Sequence, residues 1–215
     1  LARGRVTRWA DLWDERFAGR IQIWDLQRTL VGIALKSLGH SANSEHPAEL
    51  EAALARLVQL KARARTSGYA PDLAEQALAD GWTALLYGYS QDLLRGRQRG
   101  LQASCVLPAE GPIQWADNFV VPAASPNKHL AERFIDFMLR PENSARIVNE
   151  QRYPTANKAA TPFIRPEILN DPVLFPPVRE MRRAEVLMPL SPEGQRLHAD
   201  LWRRYLAAPA LSAKP

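Results

Sequence analysis

A single cysteine, Cys105, excludes an internal disulfide and any cysteine-based metal cluster. Its neighbours from Ala103 to Leu107 are mostly apolar, so a small buried hydrophobe is expected there. No apolar run approaches the ~20 residues that cross a membrane. The chain begins at Leu1 with no basic segment followed by an apolar one, so either a targeting sequence has been removed or this is a piece of a longer protein. A Gly-rich phosphate loop, a nucleophile elbow and a metal-ligand cluster are also missing, which argues against an enzyme, a metal site and a bound cofactor. The four histidines, His40, His46, His129 and His198, are scattered among polar neighbours and read as surface residues.

What is present is ordinary for a globular chain of one or two domains: 215 residues, 46% hydrophobic and 24% charged. Net charge is +5, and arginine greatly outnumbers lysine. That balance raises a DNA- or RNA-binding role as an alternative of another class. The arginines are spread over many segments, however, and no helix-turn-helix, zinc-finger or aromatic RNA-binding motif accompanies them. A solvated basic surface, with no nucleic-acid partner, is the expected reading.

Along the chain, helical and extended segments alternate. Residues 9–13 read as a short helix and residues 20–24 as a strand. Asp25 then resembles an N-cap for a helix over 26–38, closed by Gly39. Residues 48–64 form a strongly amphipathic helix with Pro47 near its first turn. A short strand at 64–67, a helix over 71–80 and a buried strand at 82–87 come next. Then come a helix over 90–97 and strands at 101–107 and 117–121. Helices are expected at 130–139, 141–150 and 193–206, with short pieces where prolines crowd between 154 and 177. The pattern is α/β with a mostly parallel sheet flanked by helices, a class in which ligands sit at the carboxyl ends of strands. Asp25, Tyr89, Ser90 and Asp92 fall at such ends.

Trp115 and Asp117 lie two apart at the start of an apolar, strand-like run. In a strand both side chains face one way. An indole face beside a carboxylate suits an organic cation. The competing reading is a core tryptophan and an acid that merely opens a strand.

The ordered set Trp9-Ala10-Asp11-Leu12-Trp13, Phe17-Ala18-Gly19-Arg20, Asp25, Ala34-Leu35-Lys36-Ser37-Leu38-Gly39, Leu107-Pro108-Ala109-Glu110-Gly111, Trp115-Ala116-Asp117-Asn118, Phe134 to Pro141 and Tyr153-Pro154-Thr155-Ala156-Asn157 resembles the periplasmic spermidine/putrescine solute-binding proteins of ABC transporters. The resemblance covers roughly residues 7 to 205. It implies a type II periplasmic-binding-protein-like fold, two α/β lobes that close on a ligand. Most of the N-terminal lobe is missing from the match. Residues 1–115 would then be the second lobe, 116–160 a remnant of the first, and 161–215 C-terminal helices packing back on the second. The implied partners are an amine such as putrescine or spermidine and the ABC permease subunits, in the periplasm or on the outer face of a bacterial membrane. Strand edges that lack neighbours imply an oligomer or a swapped dimer.

The resemblance carries ligand contacts to Trp115, Asp117, Tyr89, Asp92 and Tyr153, and a nearby acid to Asp25. Tyr89 replaces a usual tryptophan, and Leu26 and Thr29 occupy positions that are acidic in polyamine binders. Each ammonium of a buried polyamine needs its own carboxylate, because an unpaired buried charge costs several kcal/mol. Arg28, near a helix N-terminus, offers another possibility: an amino-acid-like or phosphonate solute whose anionic end it would bind. A solvent-facing arginine in a first helical turn is the plain alternative.

Overall fold

A computed structural model describes residues 6–211. After a short 3-10 helix at Trp9–Trp13 come β1 (Ile21–Trp24), α1 (Gln27–Ser37), α2 (Pro47–Lys61), β2 (Ala64–Ser67), α3 (Pro71–Ala79), β3 (Leu85–Leu86), α4 (Ser90–Gln98) and β4 (Ile113–Gln114). The remaining elements are α5 (Lys128–Leu139), α6 (Pro141–Gln151), α7 (Pro166–Leu169), α8 (Val178–Met181), β5 (Glu185–Val186) and α9 (Pro192–Ala207). The chain divides into two compact units, one running to Trp115 and resuming at Arg179, the other comprising Ala116–Val178.

In the first unit β1 is the middle strand of a parallel sheet of order β2-β1-β3. Ile21 pairs with Ala64 on one side and with Leu85 on the other. All four β1 residues are buried. A parallel strand covered on both faces needs such a sequence, and the polar member, Gln22, is satisfied inside. Its amide donates to the Ile23 carbonyl at 3.0 Å and to Ser67 Oγ at 3.3 Å.

Helix α1 buries every residue from Leu30 to Lys36, more than one amphipathic stripe. It packs on α2, whose Leu50, Ala53, Leu54, Leu57 and Leu60 form one apolar face. Full burial of each leucine is worth roughly 1.5–3 kcal/mol. Gly32 allows a close approach in mid-helix: a Cβ there would sit 3.0 Å from Ile113 Cδ1 and 3.1 Å from Ala42 Cβ, so these neighbours would have to give by a few tenths of an ångström. Helix α9 lies on the other flank of α2.

Several expectations fail for one reason. Residues 101–107 and 117–121 are not strands, and of the run 82–87 only Leu85 and Leu86 enter a ladder. A strand needs a neighbour to pair its backbone, and among the described residues none reaches these segments. Cys105 is accordingly exposed rather than buried. His198, expected at the surface, is only 1% exposed.

The second unit is all helical among its described residues. Helix α6 packs on a 3-10 helix at Lys158–Phe163, and Ala145, Val148, Ala160, Ile164, Ile168 and Leu174 are buried there. Residues 161–178 thus belong to this unit, and the chain returns to the first unit at Arg179 rather than at 161. Helix α5 has no buried residue, and Leu130, Phe134 and Phe137 lie exposed along it. Phe119 meets Phe134 edge-on at 5.7 Å, while Val120 is 81% exposed.

The turn before β4 is a tight backbone junction. Gly111 has φ +96°, and a Cβ on it would overlap the Arg183 carbonyl. Its own carbonyl accepts from Trp9 Nε1 at 3.0 Å, and Glu110 next to it accepts from the Trp9 and Ala10 amides. Gly111→Ala is therefore expected to lose about 2 kcal/mol or more, read as a lower urea midpoint. An unchanged midpoint would contradict this packing.

Candidate ligand-binding site

The parallel sheet delivers its three carboxyl ends to one edge. β1 ends at Trp24 and leads into Asp25, β2 leads to Tyr69, and β3 leads to Tyr87 and Tyr89. Edge-to-face contacts join the rings in a row: Trp24 to Tyr69 at 5.6 Å, Tyr69 to Tyr89 at 4.7 Å, Tyr89 to Trp115 at 5.0 Å. Each such pair adds roughly 0.5–1.5 kcal/mol beyond its area. The row runs from a fully buried indole to one that is 46% exposed. Its last ring, Trp115, therefore presents apolar π surface to solvent from a rigid support.

Asp92 lies in the first turn of α4 and is 1% exposed. Its Oδ2 accepts from the Tyr89 amide at 2.9 Å, closing a capping box at the helix start. Its Oδ1 accepts from the Tyr69 hydroxyl at 2.9 Å and from Arg95 Nη2 at 2.8 Å. Burial, then the hydrogen bond to Asp92, push the Tyr69 phenol up to about 12. The phenol therefore stays protonated and keeps donating.

Asp25 is not the N-cap of α1. Leu26 holds that position without a side-chain cap. The Asp25 amide still donates to the Ser67 carbonyl of β2 at 2.9 Å, and its carboxylate accepts the hydroxyl of Tyr205 of α9 at 3.1 Å. Burial raises the Asp25 pKa, against the Tyr205 hydrogen bond and the field of Lys61. Lys61 itself is buried and donates to the Tyr205 and Leu206 carbonyls at 2.9 and 2.8 Å, closing the C-terminus of α9.

Arg28 is half-buried, and its Nη2 donates to Asn43 Oδ1 and to the Met188 carbonyl, both at 3.1 Å. Burial lowers its pKa, opposed by Glu45. In the second unit the Tyr153 hydroxyl donates to Asp117 Oδ2 at 3.0 Å, and both residues are exposed. Arg152 precedes Tyr153 in a left-handed conformation, φ 57°.

The structure thus brings Tyr89, Asp92 and Trp115 together in the first unit, and Asp117 and Tyr153 in the second. Asp25 and Arg28 are engaged with Tyr205 and with the Asn43 and Met188 segments. Sequence reading missed Tyr69, Tyr87 and Arg95. The period-2 spacing of Tyr87 and Tyr89 after β3 was the available signal for the rings. Arg95 three residues after Asp92 on a helix was the signal for the ion pair.

His198 on α9 is a further buried polar group near Arg28. Its Nε2 lies 3.1 Å from the Ser44 carbonyl, which can only accept, so the proton is on Nε2. Burial lowers its pKa below the usual 6.5; the Ser44 bond and Glu45 oppose this, and Arg28 adds to it. The folded state therefore prefers the neutral ring. Its contribution to stability is complete above about pH 6.5 and is lost as the pH falls through the depressed value, by about 1.4 kcal/mol per unit of depression. Urea midpoints are expected to drop on that acid side, and His198→Gln to flatten the drop. Parallel profiles for both proteins would contradict this.

Known proteins share this arrangement of elements. The sequence profile of the bacterial extracellular solute-binding proteins matches residues 2–176. A putrescine/cadaverine-binding protein of Pseudomonas aeruginosa is 35% identical over 207 residues, 90% of this chain and 57% of that one. A spermidine/putrescine-binding periplasmic protein of Escherichia coli is 33% identical over 180 residues, 84% of this chain and 51% of that one. The solved structure of the spermidine/putrescine ABC transporter substrate-binding protein of Streptococcus pneumoniae covers 95% of this chain with a TM-score of 0.75 at 26% identity, using 63% of its own length. The chain spans about half the length of the curated relatives it matches.

Proposed function

Because this chain belongs to the bacterial extracellular solute-binding proteins, we propose that it forms part of the binding component of an ABC importer for polyamines or related amine-bearing small molecules. It would act in the periplasm or on the outer face of the membrane and hand its ligand to permease subunits. The relatives that are named for putrescine, cadaverine and spermidine support this reading.

The observation that carries it is the aromatic row. Trp115 is held edge-on by Tyr89, and Tyr89 by Tyr69, so the exposed indole of Trp115 is a flat apolar wall supported before any ligand arrives. Such a wall takes the methylene chain of an alkylamine, and its quadrupole attracts the adjacent ammonium. Pre-organisation lowers the entropy cost of binding. Within the second unit, Asp117 is an exposed carboxylate that retains acceptor capacity beyond its Tyr153 hydrogen bond, so it can take an ammonium.

Calorimetric titration with putrescine, butylamine and 4-aminobutyrate tests the reading. Loss of a charge-assisted hydrogen bond is worth roughly 1.5–3 kcal/mol, so Asp117→Asn is expected to weaken every responding amine by about 10- to 100-fold. Trp115→Ala is expected to weaken butylamine at least as much as the other two, because the wall acts on the alkyl chain. Equal affinity in Asp117→Asn and the parent would remove Asp117 from the site.

A further inference from the structure

The N-terminal end of α9 is held by one loop, residues 41–45 between α1 and α2. Asn43 of that loop bonds the Val186 carbonyl and the Met188 amide on the approach to α9. Glu45 takes the start of the helix itself. Its carboxylate accepts from the Ser191 amide at 2.8 Å and from the Ser191 hydroxyl, whose oxygen accepts in turn from the Gly194 amide. A negative charge there answers the positive end of a 16-residue helix. Gly194 makes room for it, since a Cβ would overlap the Glu45 carboxyl group. Two turns on, His198 donates from Nε2 to the Ser44 carbonyl, while its buried Nδ1 has no hydrogen-bond partner. The next proton must go to Nδ1, where no acceptor waits. Arg28 of α1 sets a like charge beside the ring, and Glu45 an opposite one. The charged groups of α2 are engaged elsewhere: Glu49 with Ser44 and His40, Glu51 with Arg204, and Lys61 at the far end of α9. On α9 itself, Glu193 pairs with Arg196 and Asp200 with Arg203.

We infer that α9 is an acid-released clamp: a proton on His198 Nδ1 undocks the helix from α2 and the 41–45 loop while the parallel sheet stays folded, and this frees Asp25 at the exit of β1. A buried cation without an acceptor is costly, and undocking returns the ring to water. Helix α9 adds no strand to the sheet, so its release leaves β2, β1 and β3 paired. Its far end carries Tyr205, whose hydroxyl is what Asp25 accepts. The docked state holds the neutral ring, and the undocked state a ring that titrates near the ordinary 6.5. Docking is therefore at full strength above about pH 6.5. Below that its constant falls by up to about tenfold per pH unit, until the docked ring itself titrates. Glu45 acts only later, because its Ser191 hydrogen bonds hold its carboxyl below the ordinary 4.5.

Amide hydrogen exchange between about pH 7.5 and 5.5, corrected for the pH dependence of the intrinsic rate, reads helix and sheet separately. Protection of α9 is expected to fall by about three- to tenfold between about pH 6.5 and 5.5, while β1 and α1 keep theirs within about twofold. His198→Gln, whose amide can still donate to Ser44, is expected to remove the fall. Glu45→Gln keeps the ring and removes the anion beside it, so the fall is expected to persist there. That second variant decides if His198→Gln does not fold. A flat α9 profile, a fall shared equally by β1 and α9, a fall that survives in a folded His198→Gln, or a fall lost in Glu45→Gln overturns the inference.

Discussion

The middle position of β1 constrains most of the first unit. A strand paired in parallel on both sides must be covered on both faces, and Ile21, Ile23 and Trp24 are at zero exposure. Parallel pairing also sends all three chain exits to the same edge of the sheet. The aromatic row exists because Trp24, Tyr69, Tyr87 and Tyr89 leave neighbouring strands in the same direction. None of these rings is near another in sequence except the last two. The local order is a result of topology and not of any one segment.

Around that edge, buried charge is answered group by group. Lys61 caps the carbonyls that end α9 and lies 4.8 Å from the Tyr205 ring centre. Tyr205 in turn donates to Asp25, so the last helix is fastened to the exit of the first strand. Lys36, also buried, meets Glu185 and ties α1 to β5. Removing one member of such a pair strands the other in low dielectric, at a cost of about 3–5 kcal/mol. Many exposed arginines are also paired, as Arg204 is with Glu51 and Arg16 with Asp14. The basic composition is in large part taken up by intramolecular partners of modest strength.

Much of the fold was legible because helices declare themselves locally. The apolar spacing of α2, α5 and α9, with Pro47 in the first turn of α2 and Pro141 opening α6, placed these elements to within a few residues. Strands were legible only where a partner exists. Residues 101–107 and 117–121 were read as strands from their composition, but pairing is a property of two segments and cannot be read from one. Burial of polar residues was hidden for the same reason. His198 faces Ser44, and Asp92 faces Tyr69, across long sequence separations. At the candidate site, Trp115 and Asp117 were singled out by their spacing, and Tyr89 and Asp92 by resemblance. The pairing of Asp92 with Arg95 is local and on the helix surface, so it was readable, but its burial was not.

The two strands β4 and β5 have a further consequence. Ile113 pairs with Glu185, and the whole of the second unit lies in the chain between them. The pair therefore closes a loop that contains a folded body. For a flexible loop, each doubling of length adds about 0.6 kcal/mol to the closing entropy. When the second unit condenses first, the effective loop is shorter and closing it costs less. Completion of the first unit is thus kinetically linked to the order in which an inserted unit collapses, although no residue of β4 or β5 belongs to that unit.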